Sequence, residues 1–154
     1  MSETPTLEQL LADSGLADKV SPVDTNVVRL QYNSAFVIVG VSGSALVVIS
    51  PLFRALPVGK ETAFFKTLLQ HNAAMGGIAA FAVQPDGWVV LQAGRPIKGI
   101  DAEEFATLVV AVGKFADELD DKLIREFYVD QPAATNQAPV DDADDGGDAA
   151  APTS

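Results

Sequence analysis

The stretch from Val27 to Ser50 constrains the fold more than any other part of the chain. Three apolar runs, Val27 to Tyr32, Ala35 to Val41 and Ala45 to Ser50, follow one another with only Asn33-Ser34 and Ser42-Gly43-Ser44 between them. Short runs rich in Val and Ile, bounded by Asn, Ser and Gly, predict strands. Connections of two and three residues are too short for a crossover, so the three strands form an antiparallel meander. The second and third runs are almost continuously apolar. That predicts cover on both faces of the sheet, or one face kept for a partner.

Helices frame the meander. Thr6 to Asp13 reads as a short amphipathic helix, with Thr6 as N-cap and Gln9 completing a capping box. Leu7, Leu10 and Leu11 form its apolar stripe, and Gly15 stops it. Ser21-Pro22 breaks any helix and releases extended chain. After the meander, Pro51 to Val58 reads as a connector with Leu52, Phe53 and Leu56 tucked under the sheet. A second helix is predicted from about Gly59 to Asn72. Ile78 to Val83 and Trp88 to Ala93 flank Gln84-Pro85-Asp86-Gly87, which is a hairpin signal. The longest helix opens at Asp101, with Glu104 three residues on, and its apolar positions recur at helical spacing from Phe105 to Phe127.

The fold class is therefore α+β: helix, three-stranded antiparallel meander, helix, β-hairpin, long helix. One domain is expected over residues 1–130. Residues 131–154 form a tail of Ala, Pro and Asp that cannot bury enough apolar surface to offset ordering, so disorder is expected there.

Charge and composition narrow the function classes. The chain carries 21 acidic and 10 basic side chains, a formal charge of −11. Five acids, Asp141, Asp142, Asp144, Asp145 and Asp148, sit in the tail, which has no Lys or Arg. A surface this acidic repels phosphate backbones, so no nucleic-acid partner is expected. The absence of Cys excludes disulfides, a thiol nucleophile and a thiolate metal site, and a single His (His71) makes no metal site expected. The N-terminal residues lack a basic segment followed by an apolar one, so no Sec signal is read. The uncharged stretches Leu30 to Phe53 and Thr67 to Pro85 are interrupted by turn residues, which fits buried strands better than a membrane helix. No membrane insertion and a cytoplasmic location are the expectation.

Residues capable of chemistry point away from catalysis. Gly40-Val41-Ser42-Gly43-Ser44 has the outline of a nucleophile elbow, but its fifth place is Ser44 and a strand follows where a helix is needed. A hairpin turn accounts for it. His71 can serve as a general base, yet a position near a helix end already favours it through the dipole. The carboxylate pairs Glu103/Glu104, Asp117/Glu118 and Asp120/Asp121 diverge by about 100° around a helix, so they read as a solvated face and not as a dyad. Gly76-Gly77 lacks the Gly-Lys-Ser/Thr of a phosphate loop. Neither an enzyme nor a cofactor is expected.

A larger pattern runs through Leu68-Leu69-Gln70-His71-Asn72, Ile78 to Val83, Asp86-Gly87, Trp88 to Leu91, Arg95-Pro96-Ile97 and Asp101 leading into Phe105. It resembles the Tir chaperone family, the class I type III secretion chaperones, together with the related YbjN-type proteins. In that superfamily a helix ends in a Leu-Leu-x-x-Asn-like motif. A hairpin, a Leu-Pro-like connector and a long helix opened by Asp follow. The order of elements matches over about residues 6–127, and a low isoelectric point (≈ 4.2 here) is typical. Arg95 departs from the apolar residue that the family places before the Pro.

The resemblance implies a homodimeric, ATP-independent binding protein. Such chaperones hold an extended segment of a partner, effector-like in the secretion chaperones, on apolar patches of the sheet and first helix. The second helix and the strand after it commonly form the dimer contact. On this chain Leu7, Leu10, Leu11, Val37, Val39, Val47 and Ile49 would form the partner patch, although ordinary core burial is the simpler account of each singly. Phe64, Phe65, Leu68 and Leu69 would form the dimer contact, since they exceed what one apolar stripe requires. The alternative is a YbjN-like regulatory or scaffold protein that uses apolar surface only to oligomerise.

Overall fold

The computed structural model describes residues 3–135. Helix α1 (Leu7–Ser14) leads into strands β1 (Val20–Asp24), β2 (Val27–Tyr32), β3 (Ala35–Ser42) and β4 (Ala45–Phe53). Helix α2 (Glu61–Ala74), the hairpin of β5 (Ala80–Val83) and β6 (Val89–Pro96), and helix α3 (Ala102–Leu123) follow. A single π turn, Ile124–Tyr128, continues α3. Six strands form one antiparallel sheet in the order β1-β2-β3-β4-β6-β5. The expected element order holds, with β1 added ahead of the meander. Ser21-Pro22 hides that strand in the sequence, but β1 lies at a sheet edge, where a residue without an N–H is tolerated.

The helix starts follow the local chemistry. Thr6 and Gln9 close a reciprocal capping box, with Gln9 N donating to Thr6 Oγ1 at 3.1 Å and Thr6 N to Gln9 Oε1 at 2.8 Å. Gly15 takes the left-handed conformation that ends α1. Asp101 Oδ1 accepts from Glu104 N at 2.8 Å and starts α3, while the Glu104 carboxylate lies 3.7 Å from Arg95 Nε.

One turn decides which residues face the core. Ser42 pairs with Ala45, so the β3–β4 loop is the two residues Gly43-Ser44, with Gly43 at φ 59°. A three-residue loop would have set Val39 opposite Val47 and Val37 opposite Ile49, placing all four on one face. The actual register sets Val39 opposite Val48 and Ile38 opposite Ile49. Val37 and Val39 consequently face the helices, and Val47 and Ile49 face the other way.

All three helices lie on the Val37 side. Helix α3 packs over β2, β3, β4 and β6, α1 packs on α3, and α2 on β5. Below them Val37, Val39, Leu46, Val48, Val89 and Leu91 meet Phe105, Leu108, Val112 and Ala116 in one continuous core. At one end an aromatic cluster closes it. Phe53 stacks on Tyr128 at 4.4 Å, and Phe64 meets Phe53, Phe127 and Tyr128 edge-on at 6.2, 5.2 and 5.6 Å between ring centroids. The Tyr128 hydroxyl donates to Ala55 O at 2.7 Å, and burial holds its pKa well above the ordinary phenol range.

Gly113 shows how closely α3 sits on the sheet. A Cβ there would lie 2.8 Å from Tyr32 Cγ, so the ring occupies the space that any other residue needs. In an exposed helix Gly→Ala stabilises by roughly 0.5–1 kcal/mol. Here overpacking should outweigh that, and Gly113→Ala should lower stability by about 1–3 kcal/mol in urea denaturation. A raised midpoint would mean that the Tyr32 ring swings clear at no cost.

The acidic face of α3 is not simply solvated. Asp117 accepts from Ser34 Oγ at 2.6 Å, Ser34 N at 3.0 Å and Asn33 Nδ2 at 3.1 Å, and so clasps the β2–β3 turn. Asp120, expected on the solvated face, is buried beside the same turn. The Ser34 hydroxyl first, then the Asn33 amide and the Ser34 N–H, hold the Asp117 carboxyl below its ordinary value of 3.8. A lowered folded pKa contributes stability that is complete above the unfolded value and is lost as pH falls through the folded one. Stability should therefore fall below about pH 4, and Asp117→Asn should flatten that fall when denaturation midpoints are compared across acid pH.

The ordered chain runs past the expected boundary at Asp130. Gln131 brackets the backbone of Val58, accepting its N–H at 2.7 Å and donating to its carbonyl at 3.4 Å. Ala134 O accepts from Arg54 N at 2.6 Å, and Thr135 forms an antiparallel bridge with Phe53. Residues 131–135 are thus docked by polar and backbone bonds, which apolar content alone does not reveal. The rest of the expected tail lies outside the described residues.

Candidate functional site

The helix-free face of the sheet is the most distinctive surface of the molecule. Cross-strand pairing brings Arg29 beside Ile38, Gln31 beside Phe36, Ile38 beside Ile49, Gly40 beside Val47, Ile49 beside Gln92 and Pro51 beside Val90. Their side chains alternate with the core residues, so they share the face opposite the helices. Phe36, Ile38, Val47, Ile49 and Pro51 are half-buried there, shaded only by one another. Phe36, Ile38, Ile49, Pro51, Trp88 and Val90, with Gln84 and Asp86 of the β5–β6 turn, line a shallow depression of about 260 Å³. Gly87, at φ 94°, makes the turn that brings Trp88 to its wall, and Trp88 N donates to Asp86 Oδ1 at 3.1 Å. The Arg29 guanidinium lies 4.1 Å over the Phe36 ring, a cation–π contact at the border of the apolar surface.

The partner patch expected from sequence is divided by the sheet. Leu7, Leu10, Leu11, Val37 and Val39 are buried in the core, where α1 and α3 cover them. Val47 and Ile49 stand on the open face. The seven do not form one surface. Phe36, Ile38, Pro51, Trp88 and Val90 join Val47 and Ile49 instead, and strict alternation across a two-residue β3–β4 turn is the signal that finds them.

The expected dimer set divides in the same way. Phe64 and Leu68 point into the core of their own chain. Phe65 and Leu69, four residues apart on the outer side of α2, are 39% and 67% exposed. Thr62, Lys66 and Ala73 continue that exposed side. Val58 ahead of the helix, and Ile78 and Val83 around β5, are large exposed apolar residues as well. Scattered apolar exposure is ordinary, but an i, i+4 aromatic–Leu pair on a helix already buried on its other side marks a contact surface.

Asn72 has a structural role that sequence analysis assigns only as a landmark. Its side chain takes the N–H of Phe81 at 2.6 Å and gives its amide to Phe81 O at 3.3 Å, pairing the outer edge of β5 as a neighbouring strand would. His71 lies against Phe81, with ring centroids 6.2 Å apart. Among the described residues no group of three or more His, Asp or Glu is placed to hold a metal ion, and no helix is long and apolar enough to cross a membrane.

Known proteins place this architecture. The structure of the Yersinia pestis type III secretion chaperone SycH, in complex with a stable fragment of YscM2, is similar at 15% sequence identity with a TM-score of 0.52. The likeness covers 73% of this chain and 95% of that one, so the α+β fold is that of a type III secretion chaperone. No curated protein matches the sequence directly. Residues 6–114 match the model of the Tir chaperone protein (CesT) family, and the chain belongs to that family.

Proposed function

We propose that this protein is a non-enzymatic, chaperone-like binding protein that holds an extended segment of a partner protein on its open sheet face. The observation that carries the reading is the apolar surface of Phe36, Ile38, Val47, Ile49, Pro51 and Val90, over which no described helix packs. Membership of the Tir chaperone family, and a structural neighbour that is a secretion chaperone holding a fragment of another protein, support it. The flat apolar face offers dispersion and burial without a deep cavity, which suits a chain laid out in extended form. Two copies join through Phe65 and Leu69 of α2, which leaves both open faces accessible.

Tagged full-length protein recovered from its native host tests this. The expected result is a particle of twice the 16.1 kDa chain mass, carrying one stoichiometric, protease-sensitive partner in light scattering and gel analysis. A clean dimer without any partner would overturn the client reading and favour a YbjN-like scaffold.

A further inference from the structure

The last described residues steer the chain towards the open face. Thr135 is 5% exposed and bridges Phe53 antiparallel, anchored by Ala134 on Arg54 and by Gln131 on Val58. A chain that continues antiparallel to β4 passes Leu52 and then Pro51. Pro51 lines the depression with Phe36, Ile38, Ile49, Trp88 and Val90. The next residues are Asn136, Gln137, Ala138, Pro139 and Val140, three of them apolar, followed by the five tail aspartates.

We infer that residues 136–140 of this same chain occupy the depression, with Ala138, Pro139 and Val140 against Trp88, Ile49 and Val90. The reach suffices. Five extended residues span about 17 Å, whereas neighbouring strands are about 4.8 Å apart, so Val140 can cross β4 and β6 to Trp88. Charge sets the direction beyond Val140. Arg29 borders the face on one side and Asp86 stands on the opposite wall, so the acidic run is drawn past Arg29 and away from the β5–β6 turn. Tethering makes a weak contact effective: a short linker supplies an effective concentration on the order of millimolar, enough to half-fill a site of millimolar affinity. A partner segment must displace the tail. That regulatory consequence rests on the proposed function, while the occupancy itself does not.

The chain has no Cys and one Trp, Trp88, at the site, which allows a direct test in the full-length protein. A nitroxide is attached to Val140→Cys, and in separate samples to Ser154→Cys and Glu8→Cys as controls, and Trp88 emission is read. The Val140 label should lower emission about twofold relative to both controls, as half-occupancy at millimolar effective concentration requires. The loss should be independent of protein concentration and should shrink when Ile49→Asp is added. Quenching no greater than from the Ser154 label would overturn the inference. So would quenching that vanishes on dilution, which would place the tail on another copy. Quenching in a protein that captures no partner would leave the tail occupancy standing and remove the proposed function.

Discussion

Replacing Phe64 by Ala should destabilise the protein by about 3–5 kcal/mol, the range for removing a buried aromatic ring. Phe64 is fully buried and meets Phe53, Phe127 and Tyr128 edge-on, so its loss empties the centre of the aromatic cluster. Edge-to-face pairs each add about 0.5–1.5 kcal/mol beyond burial. A single domain has roughly 5–15 kcal/mol in all, so the variant should unfold at markedly lower urea or be partly unfolded in buffer. A Glu at Phe64 or Leu68 should do still more damage, because a charge would enter the core without a partner. Such variants report on the monomer, not on subunit association. If Phe64→Ala lost less than about 1 kcal/mol in urea melts, the aromatic cluster would be repacking around the gap.

Leu69→Glu should behave oppositely. The side chain is 67% exposed, so the fold should change by no more than about 0.5 kcal/mol. In the proposed dimer a charge would be desolvated at a contact of which Leu69 is an anchor. A loss of about 2 kcal/mol or more, typical of a central contact residue, corresponds to roughly thirtyfold weaker association. Sedimentation or light scattering across a dilution series should show a monomer where the parent chain is dimeric. Phe65→Glu should follow the same pattern. A dimer of unchanged affinity in both variants would place the contact elsewhere.

The contrast between these two predictions shows what was legible in the sequence. The order of elements could be read because each signal is local: the Thr6 and Asp101 caps, the Asp86-Gly87 turn, the apolar periodicity of α3. Which face a residue occupies depends on finer features. Phe64 and Phe65 are neighbours in sequence and about 100° apart on α2, so composition counts both as apolar while only one is buried. In β3 and β4 the choice between two and three loop residues turns every side chain over, and Ser42 fits either reading.

Other features leave weaker traces. Pro22 argues against a strand unless the strand is known to be an edge. The π turn at Ile124, which places both Phe127 and Tyr128 in the core, has no evident sequence signature. Gly113 did leave one, a Gly inside a strong helical pattern, which commonly marks a close approach. The clasp of Asp117 and Asp120 on the Asn33-Ser34 turn joins groups more than 80 residues apart in sequence, and no local rule reaches that far.

The central claim is that the open sheet face holds the partner. It is tested most directly by comparing partner recovery by the parent protein with that by Ile38→Asp and Ile49→Asp, after thermal melts establish that both variants fold. These residues sit opposite each other on the helix-free side and contribute little to the main core. A charge at either position should abolish recovery and leave the dimer intact. Equal recovery by both folded variants would contradict the account and move the partner to another surface.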